Sequence, residues 1–421
     1  MTQTQHQTFA GICAIGFMAR ATFSLGRNPI IALFAASLGA GPTGIGFAVA
    51  ASTITGIFVK MPAGVLSDII GRKRTLLFSL LLAAFFPFAY LLIHSYEVLI
   101  VVRFFHGFAT ATFNPVAMAV VMELAGNRRA EMISWFTSLT FLGTLIGPPL
   151  GGFLLTQFAG VDGPQLAHYH TIYKVVGAMG ITTLLAGIWI LRSSQESLPI
   201  SSNSDLSEFG PKFQTGVREI LMNRTVLLTS NMVGVLALSI GALEAFLPIY
   251  TVFVLGFTPF YAGVLWGVQI LMTIAAKPIM GMLSDRHGRT PLLFWGMWVA
   301  VIAFILIPWV SSFFFLVLLA GMYGLGRAMV TSSAAALVAD VCEKDHLGTA
   351  MGSYGTILDV GHAAGPILAG FLIALSGGQN FRLSFAVISI ILIIATFAFN
   401  TMVKPHHISP QPLPSPSDLD D

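Results

Sequence analysis

Residues 64–74 read GVLSDIIGRKR, and residues 281–289 read GMLSDRHGR. Laid against itself at an offset of 217 residues, the chain brings Gly64 onto Gly281, Ser67 onto Ser284, Asp68 onto Asp285, Gly71 onto Gly288 and Arg72 onto Arg289. The register holds outward from the two copies. Pro42 and Gly46 fall on Pro259 and Gly263, Lys60 on Lys277, Gly107 on Gly324 and Glu123 on Asp340; with one residue of slippage, Gly147-Pro148 meets Gly365-Pro366. Such a chain is two copies of one structural unit.

The solvent around that unit follows from composition. Of 421 residues 55% are hydrophobic and only 9% charged, and the mean hydropathy is +0.83. A water-facing surface needs roughly a quarter to a third of its residues charged, so most of this surface faces lipid. The same arithmetic, with a net charge of +3 on scattered basic residues, excludes disordered, collagen-like, disulfide-rich and nucleic-acid-binding classes. The two cysteines, Cys13 and Cys342, form neither a disulfide framework nor a metal site. Twelve apolar stretches, from 9–37 to 382–402, are long enough to cross a hydrocarbon core of about 30 Å. The first, seventh and eleventh are too long for an upright span, with kinks expected at Pro29, Pro248 and Pro366.

Loop charges orient the spans. Basic residues gather at Arg72, Lys73, Arg74, Arg128, Arg129, Arg192, Lys212, Arg218, Arg224, Arg286, Arg289 and Lys344, against little more than Lys174 and Arg382 on the other side. The positive-inside rule then places both termini in the cytoplasm. MTQTQHQT at the start lacks the basic region of a cleaved signal, so the first span is expected to stay. The division expected is a short terminus, 1–8; a six-helix bundle, 9–191; a polar cytoplasmic linker, 192–224; a second bundle, 225–402; and a Pro- and Asp-rich disordered tail, 403–421. Duplicated six-helix units of parallel topology mark a transporter architecture with its sites near midplane between the halves.

From about residue 9 to 402 the chain resembles transporters of the major facilitator superfamily, whose loop motif between helices 2 and 3 is matched by GVLSDIIGRKR and repeated by GMLSDRHGR. The resemblance implies an all-α membrane protein with twelve transmembrane helices in two pseudo-symmetric bundles, no enzymatic activity, no cofactor or metal, and action as a monomer. It also implies a latch in which Asp68 faces the start of helix 11 near Leu347 and Arg72 pairs with Glu123, with Gly64 and Gly71 allowing close approach and a tight turn; Asp285, Arg289 and Asp340 form the second copy. The alternative is ordinary solvated turn charges. GTLIGPPLGG in helix 5, with Gly143, Gly147, Pro148, Gly151 and Gly152, resembles the antiporter motif of proton-linked drug exporters; a plain packing face is the competing reading. LIVVRFFHGFATA puts Arg103 and Gly107 where such antiporters carry an arginine and a glycine, with His106 where glutamine is common. Arg103 then tunes a proton-carrying acid, or else serves as a structural clamp.

Charges inside the spans supply the substrate clue. Arg20, Arg27, Lys60, Arg103, Lys277 and Arg327 lie within them, and at roughly 2.5–3.5 kcal/mol each, leaving all six toward lipid would cost on the order of 15–20 kcal/mol. They are expected to face a cavity or partners. Their intramembrane acids are Glu244 and Asp359 alone, so the expected cavity, lined by Arg20, Arg27, Arg103, Glu244, Arg327 and Asp359, is net basic and suited to anions. Arg20 and Arg27, seven residues apart, share one face of helix 1; Lys60 and Lys277, one turn before the motifs, either snorkel or hold carbonyls. With no ATP-binding loop the energy must come from a gradient, and Glu244, Asp359, Arg103 and His362, one turn from Asp359, are the proton-coupling candidates. The expectation is an inner-membrane transporter working by alternating access, exporting a small organic compound, an organic anion or a drug-like molecule, against protons. An importer or facilitator of an organic anion, and a non-transporting scaffold or sensor, are the alternatives.

Overall fold

In the computed structural model residues 3–125, 128–160, 163–193, 224–341 and 347–403 are described. Most of the expected linker and all of the tail beyond Val403 lie outside them, as do Cys342, Lys344 and the side chain of Asp68. Among the described residues twelve helices are long and apolar enough to cross a membrane, as the sequence predicts. α1 is in two pieces, Gln3–Leu25 and Ile30–Ser37; then come α2 Pro42–Ile70, α3 Arg72–Ala89, α4 Tyr96–Ala125, α5 Arg129–Ala159 and α6 Leu166–Ser193. The second half repeats the series: α7 Arg224–Ile249, α8 Pro259–His287, α9 Arg289–Leu306, α10 Phe313–Val341, α11 Leu347–Leu375 and α12 Phe381–Met402.

The repeat in sequence is a repeat in packing. In the first half α1 lies along α5, α2 along α4, and α3 against α4 and α6; in the second, α7 lies along α11, α8 along α10, and α9 against α10 and α12. Large apolar side chains stay exposed on the outer helices, among them Phe78 and Phe85 on α3, Trp189 on α6, Trp295 on α9 and Phe397 on α12. Exposed apolar surface on this scale marks the lipid contact.

The proline expectations divide. The first span breaks just before Pro29, which has no N–H to give the helix. The Gly26 carbonyl, left outside the helix ladder, accepts a hydrogen bond from the Tyr173 hydroxyl at 2.9 Å, so the break leaves no orphan there. After Pro248 the α7 backbone passes into a π-helical turn, Tyr250–Val254, whereas α11 runs through Pro366 without interruption. α2 and α8 run farther than their expected ends at 65 and 282. Each continues until Gly71 or Gly288 takes a positive φ, +103° and +94°, that other residues rarely adopt.

The halves meet through α2 with α11 and α5 with α8, and the contact is uneven along these helices. At the end away from the GVLSD and GMLSD motifs, four glycines put backbone against backbone. Gly46 lies on the Pro366 carbonyl and Gly370 on that of Pro42; Gly263 lies on the Pro148 carbonyl and Gly152 on that of Pro259, so that a Cβ at any of them would overlap the facing carbonyl. Toward the motif end Gly64 on α2 and Gly352 and Gly355 on α11 have no described atom within 4 Å of where a Cβ would stand. Among the described residues the halves are therefore sealed together at one end and less closely packed at the other.

Candidate functional site: a basic cavity between the halves

Below the seal, on its motif side, a cavity of about 320 Å³ lies between the halves. Its floor is made by the break in α1, which leaves Arg27 and Asn28 outside regular helix and turns both into the cavity. Arg27 bridges to Glu244 of α7 through Nε to Oε1 and through Nη2 to Oε2 at 3.1 Å; its Nη2 also donates to Thr53 Oγ1 at 3.2 Å. His362 of α11 reaches the same Glu244 Oε2 with Nε2 at 2.9 Å. Oriented with its nitrogen toward Glu244, the Asn28 amide donates to Oε1 at 3.1 Å and accepts from Trp266 Nε1 at 2.8 Å. Glu244 is 3% exposed, so one buried carboxylate ties α1 of the first half to α7 and α11 of the second.

Three further cations line the cavity: Arg20, Lys277 and Arg327. None of them enters an ion pair among the described residues. Lys277 Nζ sits 5.1 Å from the centre of the Phe141 ring, a cation–π contact that leaves its charge uncompensated. With Arg27 paired to Glu244, the remaining ionisable side chains of Arg20, Lys277 and Arg327 leave the described cavity lining rich in positive charge. Aromatic rings of Phe23, Phe136, Phe141 and Trp266 and hydroxyls of Thr137 and Thr140 supply the rest of the wall used below.

Two expected cavity residues stand elsewhere. Arg103 is 1% exposed inside the first half, where it clamps α4 to α2 by donating to Ser52 Oγ at 2.8 Å and to the Ala48 and Val49 carbonyls at 3.4 and 3.5 Å. Its local geometry is that of a structural clamp, far enough into the bundle that it does not line the cavity. His106 is also internal, its Nδ1 3.0 Å from the Tyr90 hydroxyl. Asp359 is taken by Lys60 in an ion pair across α2 and α11, outside the cavity lining. Correspondingly, the partner of His362 is Glu244 and not its neighbour in sequence Asp359. The sequence reading missed Lys277, placed with the snorkelling residues, and Asn28. For Asn28 a signal existed: it precedes the proline at which the helix was expected to kink.

The motif residues sit as two matching clusters, each within one half. Arg72 donates from Nε to Glu123 Oε1 at 2.9 Å and also binds Ser67 Oγ; Arg289 donates from Nε to Asp340 Oδ2 at 3.0 Å, to Ser284 Oγ at 3.3 Å, and pairs with Asp285. The α5 motif is a packing face here: a Cβ on Gly143, Gly147 or Gly151 would overlap α1 around Phe17, Ser24 and Leu25, while Gly152 belongs to the seal beside Pro148.

Comparison with known proteins follows the same lines. The family model of the Major Facilitator Superfamily matches residues 12–276 and 262–418. An uncharacterized MFS-type transporter of Methanocaldococcus jannaschii is 24% identical over 93% of this chain and 95% of its own. The multi-drug resistance efflux pump PmrA of Streptococcus pneumoniae is 27% identical over 33% of each chain. Among solved structures, the nucleoside transporter NupG superposes with a TM-score of 0.80 at 13% identity, covering 94% of this chain and all of that one. The chain belongs to the major facilitator superfamily: it is a multi-pass membrane transporter of twelve spans and not an enzyme.

Proposed function

We propose that this member of the major facilitator superfamily exports a small organic anion in exchange for protons, by alternating access of its two halves to a shared cavity. The observation that carries the proposal is Glu244: a buried acid facing the cavity, held by an arginine from one half and a histidine from the other. A group in that place senses both the proton and the relation between the halves. In this reading the anion and the proton occupy the cavity alternately: Glu244, with His362, takes up the proton only after the anion has left on the far side, and gives it up on the cytoplasmic side before the next anion binds. One proton crossing about 100 mV supplies roughly 2.3 kcal/mol, enough for an accumulation ratio of roughly fiftyfold. The positive excess from Arg20, Lys277 and Arg327 supports an anionic cargo. The partial likeness to an efflux pump favours export.

The moving bodies are the helices of 9–191 and of 225–402, joined by the 192–224 linker. The motif end, rich in Arg and Lys at Arg72, Lys73, Arg74, Arg286 and Arg289, is the cytoplasmic side of an inner membrane, and the state described is open to it. The motif clusters act in this scheme as a latch that holds that end shut in one arrangement and releases it in the other, and the chain works as a monomer.

The test uses full-length protein in proteoliposomes with an imposed pH gradient. Glu244→Gln is expected to keep anion exchange at equal pH on both sides while losing accumulation driven by the gradient, and Glu244→Asp to keep both. Gradient-driven accumulation that survives Glu244→Gln overturns the coupling role, and accumulation directed into the cytoplasmic side overturns export.

A further inference from the structure

The unpaired cations of the cavity are divided between the two halves. Lys277 on α8 and Arg327 on α10 belong to the second half and lie within Coulombic reach of each other. Arg20 on α1 belongs to the first; Arg27, within Coulombic reach of it, is already paired with Glu244. Neither set is a copy of the other. The repeat places Ala237 opposite Arg20 and Thr110 opposite Arg327, while Lys60, opposite Lys277, is paired with Asp359 outside the cavity, so no cavity cation of one half is matched by a cavity cation of the other.

A ligand held by one half alone interacts equally with the sealed and the opened arrangement, and a ligand without differential affinity shifts no equilibrium however tightly it binds. A charge on each half gives the cavity a way around this, provided that one molecule engages both. Resting on the anion reading of the same cavity, we infer that the substrate is an organic dianion with two separate acidic groups, one held by Arg20 and the other by Lys277 and Arg327. Its apolar body lies between them against Phe136, Phe141 and Trp266, which line the same cavity. A volume of about 320 Å³ is at the low end for a small-molecule site. It suits a single ring carrying two carboxylates. Bound this way the dianion draws α1 toward α8 and α10, which narrows the less closely packed end of the molecule and prepares the change of access.

Equilibrium binding to the full chain in lipid nanodiscs tests this with two probes of one ring each, benzoate and isophthalate. Isophthalate is expected to bind at least tenfold more tightly, a difference of about 1.4 kcal/mol. Arg20→Gln and Lys277→Gln are each expected to bring the ratio close to one, and the charge-preserving Arg20→Lys and Lys277→Arg to retain it, which separates loss of a contact from loss of folding. Equal affinity of the wild type for both probes, with both lost in Arg20→Gln, overturns the two-ended site and leaves the anion reading standing. Binding of tetraphenylphosphonium with no binding of either anion overturns both.

Discussion

Lys60 and Lys277 occupy one position in the two copies of the repeat, and they end in different company. Lys60 pairs with Asp359 across the contact of α2 with α11. The residue at the matching place on α5, allowing the one-residue slip, is Phe141, and Lys277 lies on its ring. One lysine therefore spends its charge joining the halves, and the other keeps it for the cavity. Arg27 and Glu244 carry the same lesson further: they are 217 residues apart, equivalent positions with opposite charges, and they meet each other across the interface. What the repeat preserves is packing, seen in the four glycines of the seal and the paired arginine clusters. What it does not preserve is the charge at Arg20, Arg27 and Arg327, and these departures line the cavity, whereas those at Arg103 and Asp359 lie outside it.

Making the two copies alike is expected to have the largest effect. Phe141→Asp gives Lys277 the partner that Lys60 has; it cancels one cavity cation and adds a fixed negative charge, and anion counterflow is expected to fall about thirtyfold or more, some 2 kcal/mol. Unchanged counterflow would mean that Lys277 is remote from the cargo. Lys277→Gln removes the charge without adding one, and its cost is expected near tenfold in anion affinity, in line with about 1.5 kcal/mol for a hydrogen bond to a charged group. Thermal stability should be held, since no ion pair is lost.

Arg103 sharpens the contrast from the other side. It too departs from the repeat, with Ala320 as its counterpart, but it is buried among carbonyls and Ser52. Arg103→Gln should lower stability by about 1–3 kcal/mol, read as a lower unfolding temperature, with anion affinity nearly unchanged. A selective loss of proton coupling without destabilisation would restore Arg103 to the coupling machinery. The smallest effect is expected at the pair itself. Lys60 is 44% exposed at its side chain, so a double-mutant cycle of Lys60→Gln and Asp359→Asn should give a coupling of about 1 kcal/mol or less. A much larger coupling would make this pair, and not Glu244, the main tie between the halves.

The fold was legible because its signals are local or self-similar. Span length, the turn glycines at 71 and 288, the break at Pro29 and the 217-residue repeat each follow from a stretch of chain or its copy. The excess of cations over acids was legible by counting; Arg20 and Arg27 do reach one cavity, but Arg27 lies past the helix end at Leu25, so it is the break before Pro29 and not a shared helical face that turns it inward. Pairing was not legible. Helical periodicity gives the angular position of Lys60, Lys277, Asp359 or His362 on its own helix, but which neighbour that face meets is decided by how the halves are set against each other. Asp359 and His362 are one turn apart, yet α11 lies between α2 and α7, so one turns to Lys60 and the other to Glu244. Arg103 shows the reverse error: an isolated cation in a span was assigned to the cavity when backbone carbonyls of α2 were near enough to hold it.

The central claim is that charges departing from the repeat make this cavity a site for anions. Its most direct test loads proteoliposomes with a proton-sensitive dye, imposes a pH gradient, and compares organic anions with lipophilic cations in the wild type and in Arg20→Ala. Proton movement is expected with anions and not with cations, and should be lost in Arg20→Ala. Proton movement with cations alone, undiminished in Arg20→Ala, would contradict the claim.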